Sequence, residues 1–444
     1  MDQLLAEIKA RDISKLTQAE WYSRFAYVSS EDSYFDMVER RELSRSAFNA
    51  IFRGVSCASV HNKRRIEASV AFDESRAEMG GLALEGITFA AGESALVGRT
   101  GLVYGNRWQN GRPKGVQGNA SKWLQHLERM IPDEAERDHV LNVMAYKRQF
   151  PNRKINHAVL HGGMPGAGKD TLWAPFLWAI GGALNTNIAV VRNEELASQW
   201  GYVLESEVVV INELRQSYKG DQRAMENTLK PLIAAPPELL QVNRKGLHPY
   251  YALNRLFVLA FSNDRNAIAL PADDRRWFVL WSHAPRMEDR DAAALWQWYA
   301  EGGLEVVAGL LDARDVSQFN PGAAPMMTDA KAILLQQGMN PTEAAVAELI
   351  ASRQSVFKPG VIAAPFHRIV QELANQLGER FRVNQNVLQI ALKDCKWEDR
   401  GRIYSKEHPT KKHVYVSPEF SHLSNTELRR MVENPPQPVL SVVK

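Results

Sequence analysis

Among the residues that could do chemistry, the densest group is the span His161–Trp173, HGGMPGAGKDTLW. Within it, Gly163-Met164-Pro165-Gly166-Ala167-Gly168-Lys169-Asp170-Thr171 fits the phosphate-loop pattern G-x-x-x-x-G-K-[ST] at every fixed position except the last. There Asp170 stands in place of Ser or Thr, and Thr171 follows. Glycines let a backbone curl until its N–H groups converge on phosphate oxygens. Lys169 would reach the β- and γ-phosphates, with the positive end of the next helix facing them. The competing reading is a glycine-rich strand-to-helix turn that binds nothing. The apolar run Ala158–Leu160 before the loop and the apolar stretch Leu172–Gly181 after it supply the strand and helix that phosphate binding requires.

A second group follows a short apolar strand, Ile188–Val191, and a helix expected over Asn193–Tyr202. Glu207-Val-Val-Val-Ile211-Asn212-Glu213 reads as a buried strand whose polar end emerges at the same site. A carboxylate there can hold Mg²⁺ directly or through water, and Glu213 can polarise an attacking water. The first acid expected in such a motif is the amide Asn212, while an acid, Asp170, sits in the loop. Two arrangements remain open. Either Asp170 supplies the charge near Mg²⁺ and Asn212 a neutral ligand, or Asp170 caps the helix and Thr171 alone serves the metal.

Further on, a helix is expected over Asp221–Ile233, ended by Pro236-Pro237. Leu239–Val242 and Tyr250–Leu253 flank Asn243-Arg244-Lys245-Gly246, a hairpin with two adjacent cations at its tip. The apolar strand Leu256–Phe261 ends in Ser262-Asn263-Asp264, where an amide can hold water or a γ-phosphate. Arg275-Arg276 immediately precede the strand Trp277–Trp281. That pair is either surface charge or a group that reaches a neighbour's nucleotide.

In this order the motifs resemble those of superfamily 3 helicases, AAA+ ring motors of phages, plasmids and other mobile elements. The resemblance spans about Ser121–Ala330. It implies an α/β AAA+ P-loop ATPase that uses ATP and Mg²⁺, with Gly163–Thr171 as its first motif and Val208–Glu213 as its second. Glu213 would be the catalytic glutamate and Asn263 the polar sensor. Lys245 would grip single-stranded DNA, supported by Arg244 and His248. Arg276 is the likelier arginine finger and Arg275 the second choice. The implied assembly is a homo-hexamer acting on single-stranded DNA and on replication-fork or origin DNA. Residues 1–118 leave no room for a complete primase, so priming would fall to a separate primase or replication initiator.

Around this core the chain divides into an N-terminal α+β module (1–118), a helical collar (119–150), the ATPase core (151–285), a helical lid and linker (286–335) and a winged-helix-like domain with a tail (336–444). Residues 1–75 read as patches of helix and 80–118 as a small β module. The collar is expected over Ala120–Arg148, with a break at Pro132-Asp133. In the last domain, helices are expected over Thr342–Ser352, Val361–Leu377 and Asn384–Asp394, and a basic ribbon over Arg402–Ser405 and His413–Ser417. This domain could bind DNA or a protein partner.

Composition bounds the rest. A net charge of +3 over 444 residues leaves any nucleic-acid surface local. The two cysteines, Cys57 and Cys395, form neither a disulfide framework nor a metal-ligand pattern. The charged start MDQLLAEIKARD is no signal peptide, and no apolar run suits a membrane span, so a cytoplasmic location is expected. Other functions compatible with the motifs are an AAA+ loader or remodeller without processive unwinding, a DNA-binding regulator with a vestigial loop, and a small-molecule kinase. Intact Lys169 and Glu213 argue against the regulator, and the cationic hairpin and Arg276 would have no purpose in the kinase.

Overall fold

The structure, a computed structural model, describes residues 12–192, 201, 203–215, 224–243, 249–265, 267–337, 341–378, 381–403 and 412–433. The chain is mixed α/β and forms two compact units. The first comprises Met1–Ala267 and Arg275–Lys331, the second Ile268–Asp274 and Ala332–Lys444.

The first unit begins with α1 (Gln18–Arg24), opened by a capping box in which the Thr17 N–H donates to the Glu20 carboxylate at 2.7 Å. The chain then departs from the helical patches expected there. Three antiparallel strands follow, β1 (Phe25–Val28), β2 (Ser33–Asp36) and β3 (Arg41–Ser44). The helices α2 (Arg45–Ile51) and α3 (Ala68–Ser75) pack over them, and β4 (Ala83–Leu84) adds to β1 in parallel. The aromatic residues decide this outcome. Trp21, Phe25, Tyr34, Phe48, Phe52 and Phe72 form one buried ring cluster, and a sheet presents Phe25 and Tyr34 to it from adjacent strands. A second small sheet, in the order β5-β7-β6, contains β5 (Gly86–Thr88), β6 (Leu96–Arg99) and β7 (Leu102–Asn106), in line with the β character expected for 80–118.

Residues 107–120 carry no regular secondary structure. They lead to α4 (Ser121–Met130) and α5 (Glu134–Gln149), separated at Pro132-Asp133 as expected, with Asp133 capping α5 by accepting from the Glu136 N–H at 2.8 Å.

The centre of the unit is a parallel sheet in the order β14-β8-β13-β10-β9. Its strands are β8 (Ala158–Gly163), β9 (Ile188–Arg192), β10 (Val208–Asn212), β13 (Phe257–Ser262) and β14 (Trp277–Ser282). Those flanked on both sides are nearly continuous apolar runs because helices cover both faces. The helix α6 (Lys169–Gly181) follows β8, and α7 (Ala224–Ile233) follows β10. The hairpin β11 (Leu239–Val242) and β12 (Tyr250–Leu253) precedes β13. After β14, in the region expected as a helical lid, come two helices, α8 (Asp289–Trp298) and α9 (Leu304–Ala313), joined by a π-turn in which Gly302 takes φ +106°. The linker region contains a further helix, α10 (Asp329–Gln337).

In the second unit, α11 (Pro341–Ala351), α12 (Phe366–Leu377), α13 (Gln385–Asp394) and α14 (Asn425–Glu433) accompany an antiparallel sheet in the order β15-β17-β16. Its strands are β15 (Val361–Ala363), β16 (Glu398–Ile403) and β17 (Lys412–Val416). The helix expected over Val361–Leu377 therefore starts only at Phe366. Val361 and Ile362 are buried by pairing with Val416 and Tyr415, and Pro365 then sets the helix start.

Candidate active site

Register brings the two sequence motifs together. Strand β13 lies between β8 and β10, with Ser262 opposite Gly162 and Ala260 opposite Ile211. The carboxyl ends of all three strands therefore fall at one level, the position where parallel sheets offer a binding crevice. A cavity of about 520 Å³ opens there, lined by Pro165, Gly166, Gly168, Lys169, Asp170 and Thr171 from the loop. Asn212 and Glu213 line it from the end of β10, and Phe261, Ser262 and Asn263 from the end of β13. Of the nine loop residues expected at the site, Gly163, Met164 and Ala167 shape the turn without lining this space.

The loop adopts the curl that its glycines permit. Gly166 and Gly168 take φ +74° and +105°, in the left-handed region that a side chain would strain. At Gly168 a Cβ would also meet the His126 ring at 2.7 Å. Groups outside the loop hold its carbonyls. The Met287 N–H donates to Gly166 O at 2.9 Å. Arg129 Nη1 donates to Ala167 O at 2.9 Å, while its Nη2 donates to Pro285 O at 2.6 Å. His126 Nε2 lies 2.9 Å from Gly168 O; since a carbonyl only accepts, Nε2 carries the proton. Within the turn the Ala167 N–H donates to Met164 O at 3.3 Å, and the carbonyls of Gly166, Ala167 and Gly168 are held from outside the loop.

Lys169 Nζ donates to Gly163 O at 2.8 Å, to Met164 O at 3.0 Å and to Asn263 Oδ1 at 2.8 Å. Burial pulls the lysine below its ordinary pKa, and Asp170 partly offsets this. Asn263 is thus tied directly to the loop lysine. Asp170 is exposed at the cavity, whereas Thr171 is buried beside it. Glu213 takes φ +56°, a left-handed turn at the strand end, and its carboxylate pairs with Arg215 at 2.9 Å. Both members of that pair are more than half exposed, so it contributes little and leaves the carboxylate able to turn. The donor set of Asp170, Thr171, Asn212 and Glu213 is oxygen-based and suits a hard cation such as Mg²⁺.

The structure does not bring Arg275 and Arg276 into this cavity. They precede β14, which runs parallel to β8, and the Ala158 N–H donates to Arg276 O at 2.8 Å. They therefore lie at the amino ends of the strands, roughly 17–20 Å along the sheet from the loop. Arg244, Lys245 and His248 lie outside the described residues, as does the helix expected over Asn193–Tyr202 except for Gly201; the hairpin strands that flank the span 244–248 are formed.

Residues at the site that were not anticipated include Arg286, Met287, Asp289 and Ala292 in the lining, and His126 and Arg129 behind the loop. Arg286 lines the cavity, and its aliphatic stem passes over Gly166. His126 and Arg129, three apart on α4, hold the loop from outside. In the sequence, His126 and Arg129 are polar residues among Trp123, Leu124, Leu127 and Met130 at helical spacing, and that spacing does not say what the helix packs against.

Residues 160–276 match a family of unknown function, DUF5906. No curated protein matches the chain. Among solved structures, the apo C-terminal region of NrS-1 (305–718) aligns with a TM-score of 0.64 at 14% identity, covering 91% of this chain and 100% of that one. An A form apo structure of the same region gives 0.61 at 14%, covering 90% and 99%. The likeness is one of fold, and it extends over nearly the whole chain.

Proposed function

We propose that the protein is an ATP-dependent DNA helicase of the superfamily 3 type. In this reading an AAA+ core works as a homo-hexameric ring on single-stranded DNA, in the replication of a phage or mobile element. The observation that carries it is the meeting of Lys169, Asp170, Thr171, Asn212, Glu213 and Asn263 around one cavity at the carboxyl ends of β8, β10 and β13. Those are the parts that nucleotide hydrolysis needs. The loop N–H groups and Lys169 bind the phosphates, and Asn263 orients the lysine and the terminal phosphate. Glu213 accepts the proton of the attacking water. Thr171, Asp170 and Asn212 would hold Mg²⁺, which when bound neutralises charge on the transferring phosphoryl group. Arg286 adds positive charge from the same chain.

Arg276 is remote from its own chain's cavity, and in this reading it would serve the nucleotide of a neighbour. The hairpin β11–β12 precedes β13, so a change at Asn263 has a short covalent path to the loop that carries Lys245. The helices and antiparallel ribbon of the second unit fit a winged-helix domain, as a further contact for DNA or for a partner. The second reading, an AAA+ loader or remodeller, shares the whole ATP site and differs only at the hairpin.

The test is mass measurement with and without ATP and single-stranded DNA, combined with an unwinding assay. A ring-sized species and unwinding are expected, and a monomer under all conditions with no ATP turnover would refute the proposal. Lys245→Ala separates the two readings. It should abolish unwinding while sparing ATP binding in a helicase, and leave every activity unchanged in a loader that makes no use of the hairpin.

A further inference from the structure

A second cleft of about 430 Å³ lies in the first unit, between the N-terminal sheets and the hairpin. Three tyrosines line it: Tyr104 from β7 and Tyr250 and Tyr251 from β12. Tyr251 is 55% exposed and Leu239 is 44% exposed. In the hairpin register Tyr251 faces Gln241, so Leu239, two residues along β11, shares its face. Together with the cleft they give one apolar patch, and a contiguous patch of this kind is a mark of a binding surface.

The frame around them is built rather than incidental. Thr88 Oγ1 donates to Tyr251 O at 2.9 Å, and the Leu253 N–H donates to Phe89 O at 3.0 Å, fastening the N-terminal module to β12. Arg99 Nη2 donates to Thr88 Oγ1 at 3.1 Å. Arg107 pairs with Glu205 at 3.3 Å and reaches Glu42 at 3.9 Å, while Tyr250 also bonds Glu205.

The wall chemistry selects a ligand class. Tyrosine faces stack planar rings, arginines donate to ring nitrogens and carbonyls, and carboxylates accept from exocyclic amino groups. Glu31, Glu42 and Glu85 line the cleft against Arg99 and Arg107, and this acidic excess disfavours a phosphate inside it. We infer that this cleft takes one unstacked nucleobase of a single strand. The N-terminal module is then half of the base site and the hairpin strands are the other half. The inference rests on the proposed function for its single-stranded partner.

The experiment uses the full chain and a short labelled oligothymidylate. Wild type should bind it, Tyr251→Phe should bind nearly as well, and Tyr251→Ala should bind about 5- to 100-fold more weakly, the range for loss of one base–aromatic stack. Thermal melting of each variant checks that the fold is kept, as expected for a side chain more than half exposed. In parallel, an oligonucleotide carrying 5-iodouracil is photocrosslinked to wild type, and crosslinks are expected at Tyr104, Tyr250 or Tyr251. Wild-type binding with unchanged Tyr251→Ala affinity and crosslinks elsewhere would overturn the base site and leave the helicase reading intact. Absence of any single-strand binding by wild type would overturn both.

Discussion

Lys169 reaches Asn263 across the mouth of the cavity, so its ammonium already rests on three oxygens before any phosphate enters. Of these only Asn263 lies at the end of β13, so under the proposed function nucleotide occupancy would reach that strand end if a γ-phosphate displaced Asn263 Oδ1. The exchange of acid and neutral residues between positions 170 and 212 puts the carboxylate on the loop, exposed to the cavity, with Thr171 buried next to it. If Asp170 supplies charge near the cation, Asp170→Asn should lower Mg²⁺ affinity and turnover by about tenfold or more, in line with losses on removing groups around a bound metal. Titrating ATPase activity with Mg²⁺ reads this directly. An unchanged titration would assign the metal to Thr171 and leave Asp170 as a first-turn carboxylate near the helix's positive end, since the structure puts Gly168, not Asp170, at the cap position and shows no side-chain cap bond. At this scale the loop and the two strand ends were legible because their chemistry is local in sequence. Arg286, His126 and Arg129 were not, since each reaches the loop from an element distant along the chain.

Among the elements, the segment 107–120 does the most with the least regular structure. Arg112 makes a two-pronged bond to the Glu207 carboxylate, at 2.9 Å and 2.6 Å, and Trp108 Nε1 adds a third bond at 2.7 Å. Burial alone would raise the Glu207 carboxyl, but Arg112 and the nearby Lys147 hold it below the ordinary carboxylate range. Glu207 immediately precedes β10, so this segment anchors the strand that ends in Asn212 and Glu213. Removing one partner of a buried pair leaves the other charged and unsolvated. Arg112→Ala should therefore destabilise the protein by about 3 kcal/mol or more, measured as a lower denaturant midpoint; a loss below about 1 kcal/mol would mean that Lys147 suffices. The sequence shows residues 110–115 only as a loop, because nothing in a loop's composition tells which buried carboxylate it will meet. The strands β1 to β3 were hidden for a similar reason. Aromatic and charged residues there suit helix or strand, and the ring cluster with Phe48, Phe52 and Phe72 settles it.

Across the whole molecule, buried histidines make stability depend on pH. His161 sits in β8, accepts at Nδ1 from Trp173 Nε1 at 2.9 Å, and is fully buried. Burial first, then Lys169 and His126, pull its pKa down to about 3. The touching pair His139 and His157 is also pulled down, chiefly by burial. These imidazoles stay neutral in the folded chain, while the unfolded chain binds protons at them below about pH 6.5. The unfolded state then holds more protons, so stability is full above that pH and falls as pH drops toward the folded values. Urea midpoints should decline steadily from about pH 7 to about pH 5, and a flat profile would contradict the buried neutral state.

Local order in the chain was enough to show a phosphate loop between a strand and a helix, a second strand ending in Asn212-Glu213, and a third ending in Asn263, since each depends on neighbouring residues and short-range periodicity. It could not show that β13 lies between the other two, that Arg275 and Arg276 lie at the far end of the sheet, or that the N-terminal module closes a tyrosine-lined cleft on the hairpin. Those facts come from strand order, register and packing, where the contact partners lie far apart along the chain and no single stretch contains the information.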